Sequence, residues 1–339
     1  MDKKMLYFLA LLLFAATACE NVIDVDFGDN EPQLVLNAQL LSTSQAQQVY
    51  VSESSRTLLR PVKDASVTVE VDGKSFVADL LPDEEQDAHA GVYRFACPIS
   101  PGSQVKVTAA RDSRKASASS EVMPGAVITE VDTLRVTEQT FDSTEENFQF
   151  KISFRDLPGQ SYYRIGVRAD FTIRMEDSSG ETLDVFSTYE FPVSGAKDPI
   201  LGGSTVSFSI LDLEPTYLVF TDEMFRDQLC TVRLTVPVTQ LYPFYYAWDG
   251  SFYPRYATIT PHYVPWLETL TAEEFHYLSA LNNLENFGYE AQMIVEPTTL
   301  PCNVDGGLGF VSVRNRVDGP AIQAKDLSID YTYYGYEYD

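Results

Sequence analysis

The chain reads as a mainly β protein built from two sandwich-like parts. Three observations predict it. Short segments alternate apolar and polar residues, the period of a strand with one buried face. Gly, Pro and Asp-Gly steps punctuate those segments at close intervals. Tyr and Phe stand at 20 each, and aromatic rings suit a pleated surface.

The first strand candidate is Leu34 to Leu40, the second Gln48 to Val51. Ser66 to Val71 alternates cleanly and ends in Asp72-Gly73, a hairpin turn signal, so Lys74 to Leu80 returns as its partner. Gly91 to Phe95 and Gln104 to Ala109 alternate in the same way, separated by the polar loop Pro82 to Ala90. Residues 33–123 therefore form a small N-terminal β-sandwich, Ig/transthyretin-like. Pro124-Gly125 marks a boundary. Residues 126–339 form a larger C-terminal β-rich sandwich domain, with strands expected at Val127 to Val131, Asn147 to Phe154, Tyr162 to Met175, Glu181 to Phe191, Ser204 to Ile210 and Cys230 to Val236. One or two short helices interrupt it. Thr271 with Glu274 three residues on is a capping box, followed by Phe275, Leu278, Leu281 and Leu284 on an apolar face and closed by Gly288. Asp222 to Gln228 is the weaker helix candidate.

Ahead of these elements stands a different signal. Met1-Asp2-Lys3-Lys4 is a short basic start, Met5 to Ala16 an apolar run, and Ala16-Thr17-Ala18-Cys19 a small-residue cut site. That order is a secretory signal, and the run is too short to remain as a membrane-spanning helix. The Cys after small residues is similar to a bacterial lipobox. Residues 1–18 are then a lipoprotein signal peptide, Cys19 carries the lipid, and residues 19–32 are an acidic tether. Several acyl chains on one Cys make a stable anchor where a single chain does not.

Removing residues 1–18 takes away Asp2, Lys3 and Lys4 and leaves 22 basic against 48 acidic residues, a charge of −26. A field of that sign repels phosphate backbones, so nucleic acid is not an expected partner. Of the four cysteines, three remain beside Cys19. Cys97 reads as a buried thiol, and Cys230 and Cys302 can pair, although sequence does not show their distance.

Four segments, taken in order, carry a resemblance. They are Cys19 to Asp26 with Asn30 to Asn37, Leu211 to Phe225, Leu270 to Leu281, and Glu296-Pro297 with Asn303-Val304-Asp305-Gly306-Gly307-Leu308-Gly309-Phe310. Together they resemble the domain of unknown function 4249 family of Bacteroidota outer-membrane lipoproteins. The last segment is similar to its closing Asn-Val-x-x-Gly-x-Gly signature. The resemblance implies a surface-exposed, lipid-anchored outer-membrane protein with two β domains, and as partner a TonB-dependent transporter or another envelope protein. It implies no catalytic residues and no cofactor.

The residues agree that no chemistry announces itself. His89, His262 and His276 are scattered without zinc-ligand spacing. There is no nucleophile elbow and no phosphate loop. The cluster Gly306-Gly307-Leu308-Gly309 lacks a strand-to-helix context and reads as a tight turn or bulge.

The stretch Leu241 to Trp266 holds ten aromatic residues in twenty-six, with four prolines that argue against a helix or a central strand. Its rings either fill a core under a long loop or present a rigid contact surface. On the second reading Trp248, Tyr253, Arg255 and Trp266 are the partner or ligand contacts. Thr133 and Ser143, each after an Asp, are similar to the O-glycan acceptors of exported Bacteroidota proteins. The function expected is an accessory or binding protein that helps a TonB-dependent transporter capture a nutrient. The alternative is a structural or assembly scaffold in an outer-membrane complex. An unrecognised hydrolase ranks below both, so the chain is not expected to be an enzyme.

Overall fold

The computed structural model describes residues 31–55, 58–139, 144–176, 180–190, 193–195, 198–202, 216–237, 256–288, 300–323 and 332–334. Met1–Pro32 forms one unit and Gln33–Asp339 another. Cys19 and residues 1–30 lie outside the described residues.

The second unit opens with β1 (Leu34–Leu41), β2 (Gln47–Glu53), β3 (Arg60–Pro61), β4 (Ser66–Val71) and β5 (Lys74–Leu80). After a 3-10 turn at Asp83–Glu85 come β6 (Gly91–Phe95), β7 (Gln104–Arg111) and β8 (Arg114–Glu121). The β4–β5 hairpin turns through Asp72 and Gly73, both at positive φ, the backbone that Asp-Gly supplies at least cost. β5 pairs with β4 along most of its length, while its last residues Asp79 and Leu80 pair with β6. It thereby passes from one layer to the other. Apolar side chains from both layers, among them Leu36, Val51, Val69, Tyr93 and Val107, make the first core.

The rest of the unit adds β9 (Ile128–Gln139), β10 (Thr144–Arg155), β11 (Tyr162–Glu176), β12 (Thr182–Glu190), β13 (Val219–Thr221) and β14 (Leu229–Pro237). It ends with β15 (Tyr256–Leu270), a helix at Ala272–Gly288, β16 (Val311–Asp318), β17 (Ile322–Gln323) and β18 (Thr332–Tyr334). β14, β10 and β9 form a three-stranded sheet. It supplies Phe148, Phe150, Phe154, Val232 and Leu234 to a second core, against Tyr163, Ile165, Val167, Tyr263 and Leu267 of the larger sheet.

The larger sheet runs β12-β11-β15-β16-β1-β2-β6-β5-β4-β7-β8, so its strands come from both ends of the sequence. The link is β16, which pairs with β1 in parallel, Ala38 beside Val311 and Leu41 beside Arg314. The other ladders are antiparallel, and the sheet is mixed. Val304, Val311 and Val313 turn into the first core, while core membership passes to the second cluster between Val122 and Ala126.

The chain is mainly β, as expected, but several elements differ from the sequence reading. β15 is a central strand despite Pro261 and Pro265. Its ladder with β11 is continuous, whereas on its other side β16 takes residues 266–269, β17 residues 262–263 and β18 residues 256–258. Pro265 O accepts from Gly319 N at 2.8 Å on that interrupted side. In an antiparallel strand the N and O of one residue point the same way. The missing N–H of Pro265, and of Pro261 four residues earlier, therefore falls where the ladder is already broken. Asp222 to Gln228 is not a helix but a run of turns, ending with Asp227 at positive φ. β8 and β16 escaped the sequence reading. Ser204 to Ile210 lies outside the described residues.

Candidate functional site

The site with most chemistry among the described residues grows out of strand alternation. Along β11, Tyr163, Ile165 and Val167 face the second core, so Arg164, Gly166 and Arg168 face away from it. Along β15, Tyr263 and Leu267 face the core, so Trp266 and Glu268 face away. Register then places Arg164, Glu268 and Arg316 in one row across three strands, with Gly166, Trp266 and Asp318 in the next.

Glu268 is 0 % exposed and receives three guanidinium groups. Arg164 Nη1 and Arg314 Nη1 each stand 3.2 Å from its Oε2, and Arg316 reaches Oε1 with Nε at 2.9 Å and Nη2 at 2.8 Å. Burial pushes the Glu268 carboxyl up, but the charges of Arg314, Arg164 and Arg316 outweigh it and hold the group below the usual carboxylate range. Arg316 also bonds Glu190 at 2.6 Å, and Arg168 grips Asp318 with two bonds of 2.6 and 2.7 Å. The guanidinium groups of Arg316 and Arg164 stand 4.1 and 5.1 Å from the ring centroid of Trp266, two cation–π contacts on one indole.

Glu274 is the second buried carboxylate, 1 % exposed, in the first turn of the helix. Thr271 caps that helix as its sequence predicts, its Oγ1 accepting from Glu274 N at 3.2 Å. The carboxylate does not fold back to complete a capping box. Instead its Oε1 accepts from Ser312 Oγ at 2.7 Å and stands 3.3 Å from Arg314 Nε. Oε2 is buried with no hydrogen-bond partner among the described residues. Burial raises the carboxyl to about 7, with the charge of Arg314 and the bond from Ser312 opposing only in part. The two carboxylates share Arg314 and behave oppositely: Glu268 stays ionised, and Glu274 can hold a proton near neutrality.

The residues singled out from sequence are placed as follows. Trp266 is not a surface anchor: it is 3 % exposed, on a central strand and in contact with two arginines. Tyr263, from the same aromatic stretch, is also buried. Trp248, Tyr253, Arg255 and Ser143 lie outside the described residues. Thr133 sits half-buried within β9, and its Asp132 neighbour contacts Lys151 at 3.3 Å. Cys230 and Cys302 are not bridged: both are free thiols, Cys230 buried and Cys302 exposed. Burial pushes the Cys230 thiol up to about 12 and raises Cys97 as well. Among the described residues no group of three or more His, Cys, Asp or Glu could hold a metal ion.

The glycine-rich closing segment is a seal between two strand edges. Leu308 exchanges backbone bonds with β1, its N to Leu34 O at 2.9 Å and its O from Leu36 N at 2.8 Å. Asp305 does the same with Ser117 of β8 at 2.8 and 2.9 Å. Asn303 bonds both the N and the O of Val311, at 2.9 and 2.7 Å. A Cβ at Gly307 would lie 2.5 Å from Leu34 O, and one at Gly309 would lie 2.2 Å from Leu36 O. These are glycines because backbone passes there. The segment Leu218 to Phe225 is likewise structural. Phe220 and Phe225 pack on Phe154 and Tyr163, and the buried Asp222 accepts from Ser161 N at 3.0 Å.

The family whose description is "Domain of unknown function (DUF4249)" matches residues 20–318, most of the chain. The chain belongs to the DUF4249 family. In this DUF4249 protein the segment Asn303 to Phe310 is thus the strap that joins β1 to β8, and Phe220 and Phe225 are part of the second core's wall. None of the curated proteins matches the chain. Among solved structures, the crystal structure of bovine butyrophilin aligns at 10 % identity with a TM-score of 0.20, covering 68 % of this chain and 92 % of that one.

Four residues of the site, Arg164, Glu268, Arg314 and Arg316, were not picked out from sequence. Their signal was present as alternation, with Arg314 and Arg316 interleaved with Val313, Asn315 and Val317.

Proposed function

We propose that this DUF4249 protein is a lipid-anchored accessory protein of the outer membrane that works by binding, as partner of a TonB-dependent transporter in nutrient capture. The observation that carries the reading is Ala16-Thr17-Ala18-Cys19 behind a basic start and an apolar run. The family match opens at residue 20, directly after that Cys, which supports a mature protein beginning at Cys19.

The test is fractionation followed by co-purification. Cys19→Ser should leave the protein in soluble fractions or as uncut precursor, while the natural chain stays with outer membranes and takes up labelled fatty acid. Affinity capture of the natural chain from detergent-solubilised outer membranes should bring a transporter with it. Assembly machinery in its place would replace the reading with the scaffold alternative. Normal membrane retention of Cys19→Ser without label on the natural chain would remove the anchor.

A further inference from the structure

We propose that Glu274 is a proton-operated fastening for the helix Ala272–Gly288, seating the helix on β16 when neutral and loosening it when ionised. The helix meets the sheet through few polar contacts, and Glu274 is the titratable one at its base. Tyr277 stacks on Phe310 at 4.1 Å, Leu278 packs with Val219 and Leu270, and Asn282 exchanges bonds of 2.7 and 2.9 Å with the backbone of Tyr217. None of these groups changes charge near neutral pH. Glu274 is faced by Arg314 and Ser312 from β16, by Glu268 from β15 and by Arg164 from β11. On its own helix, Glu273 and His276 are exposed.

The geometry makes ionised Glu274 poorly compensated. Arg314 already bonds Glu268 through Nη1 and Gln39 through Nη2, at 3.2 and 3.0 Å. What remains for Glu274 is Nε, which stands within ion-pair range but makes no hydrogen bond, and Oε2 has no partner among the described residues. A buried charge short of partners costs far more than a buried neutral acid. The helix N-terminus and Arg314 both favour the anion, and burial outweighs them. Release of the helix exposes the carboxyl to water, where it ionises at its ordinary value near 4.5 and gives its proton to the buffer.

The sign follows from linkage. A carboxyl raised in the closed state contributes stability that is complete below 4.5 and is lost as pH rises through about 7. Helix opening should therefore become easier as pH rises from roughly 5 to 7, with a slope approaching but not exceeding about tenfold per pH unit, and level off above that. An ordinary ion pair with Arg314 predicts the reverse, loosening as pH falls.

Hydrogen exchange of the full chain at pH 5, 6, 7 and 8, corrected for intrinsic rates, reads the sign directly. Protection of amides 275–284 should fall by about fortyfold from pH 5 to 7. Glu274→Gln should hold its protection across that range, and Glu273→Gln should behave like the natural chain. Protection that is flat in the natural chain, or that falls toward acid, overturns the proposal. Should Glu274→Gln fail to fold, carbon-13 detection of side-chain carboxyls in the natural chain decides alone. One glutamate titrating near neutrality and moving with the helix amides supports the fastening, and ordinary titration of all of them overturns it.

Discussion

Gly166 and Trp266 stand opposite each other across the β11–β15 ladder, and the indole occupies the space that residue 166 leaves by having no Cβ. A Cβ placed there would lie 2.4 Å from Cζ2 and 2.7 Å from Cε2 of Trp266. The glycine lets the indole come over the backbone of residue 166, within cation–π range of Arg164 and Arg316.

Gly166→Ala should accordingly destabilise the protein by about 1–3 kcal/mol, the range for overpacking. Trp266→Ala should cost about 3–5 kcal/mol. Combined, the two should cost clearly less than their sum, because the alanine then meets empty space. Urea unfolding of the three variants measures this cycle, and strict additivity would show that the two residues do not share a site.

Gly309→Ala should loosen the strap between β1 and β8. Residue 309 is at positive φ, and a Cβ there meets Leu36 O. Gly102 is also at positive φ but has open space around it. Gly102→Ala should cost about 1 kcal/mol of backbone strain, and Gly309→Ala more than that. Exchange of β1 and β8 amides should quicken in the Gly309 variant alone.

Glu268→Gln should be the most damaging of the single polar changes, at about 3–5 kcal/mol, since it leaves the buried Arg314 and the half-buried Arg164 and Arg316 around a neutral amide. The pH signature is distinct from that of Glu274. A carboxyl depressed below 4.5 contributes stability that is full above 4.5 and is lost as pH falls through the folded value. The natural chain should lose stability on that acid limb, and Glu268→Gln should flatten it in thermal melts taken from pH 3 to 6.

Limited proteolysis should cut first around Asp83–Glu85, an exposed 3-10 turn, and spare residues 123–126. The latter stretch is held by β16: Asn315 Nδ2 bonds Met123 O at 3.0 Å, and Gly125 abuts Val317. First cleavage at Pro124-Gly125, seen by mass spectrometry of early fragments, would show that this hold is weak.

Local patterning carried most of the strands. Ser66 to Val71 and Tyr162 to Met175 alternate, and alternation is a property of a few adjacent residues, while Lys74 to Leu80 follows from the turn before it. The Asp72-Gly73 turn and the Thr271 cap are equally local, and both are found where the sequence places them. β8 left little trace because its inward residues are Ala116, Ala118 and Ser120, small side chains that contrast weakly with their polar neighbours. β15 was hidden by Pro261 and Pro265, whose tolerance depends on which side of the strand lacks a partner.

The site was legible only in part. Thr271 and Glu274 gave the helix start, but a capping box directs the glutamate to its own backbone, and in the fold Ser312 and Arg314 take it instead. That choice depends on β16 lying beside β1, a parallel pairing of Ala38 with Val311 across most of the chain. The sequence by itself determined the strand periods, the turn chemistry, the acidic charge and the glycines at the strap. Tertiary structure alone decided that Glu268 gathers three arginines, that Trp266 is buried and that the two cores share one sheet. The reason is that periodicity encodes which way a side chain points, whereas partners brought together across hundreds of residues are selected by packing of the whole sheet.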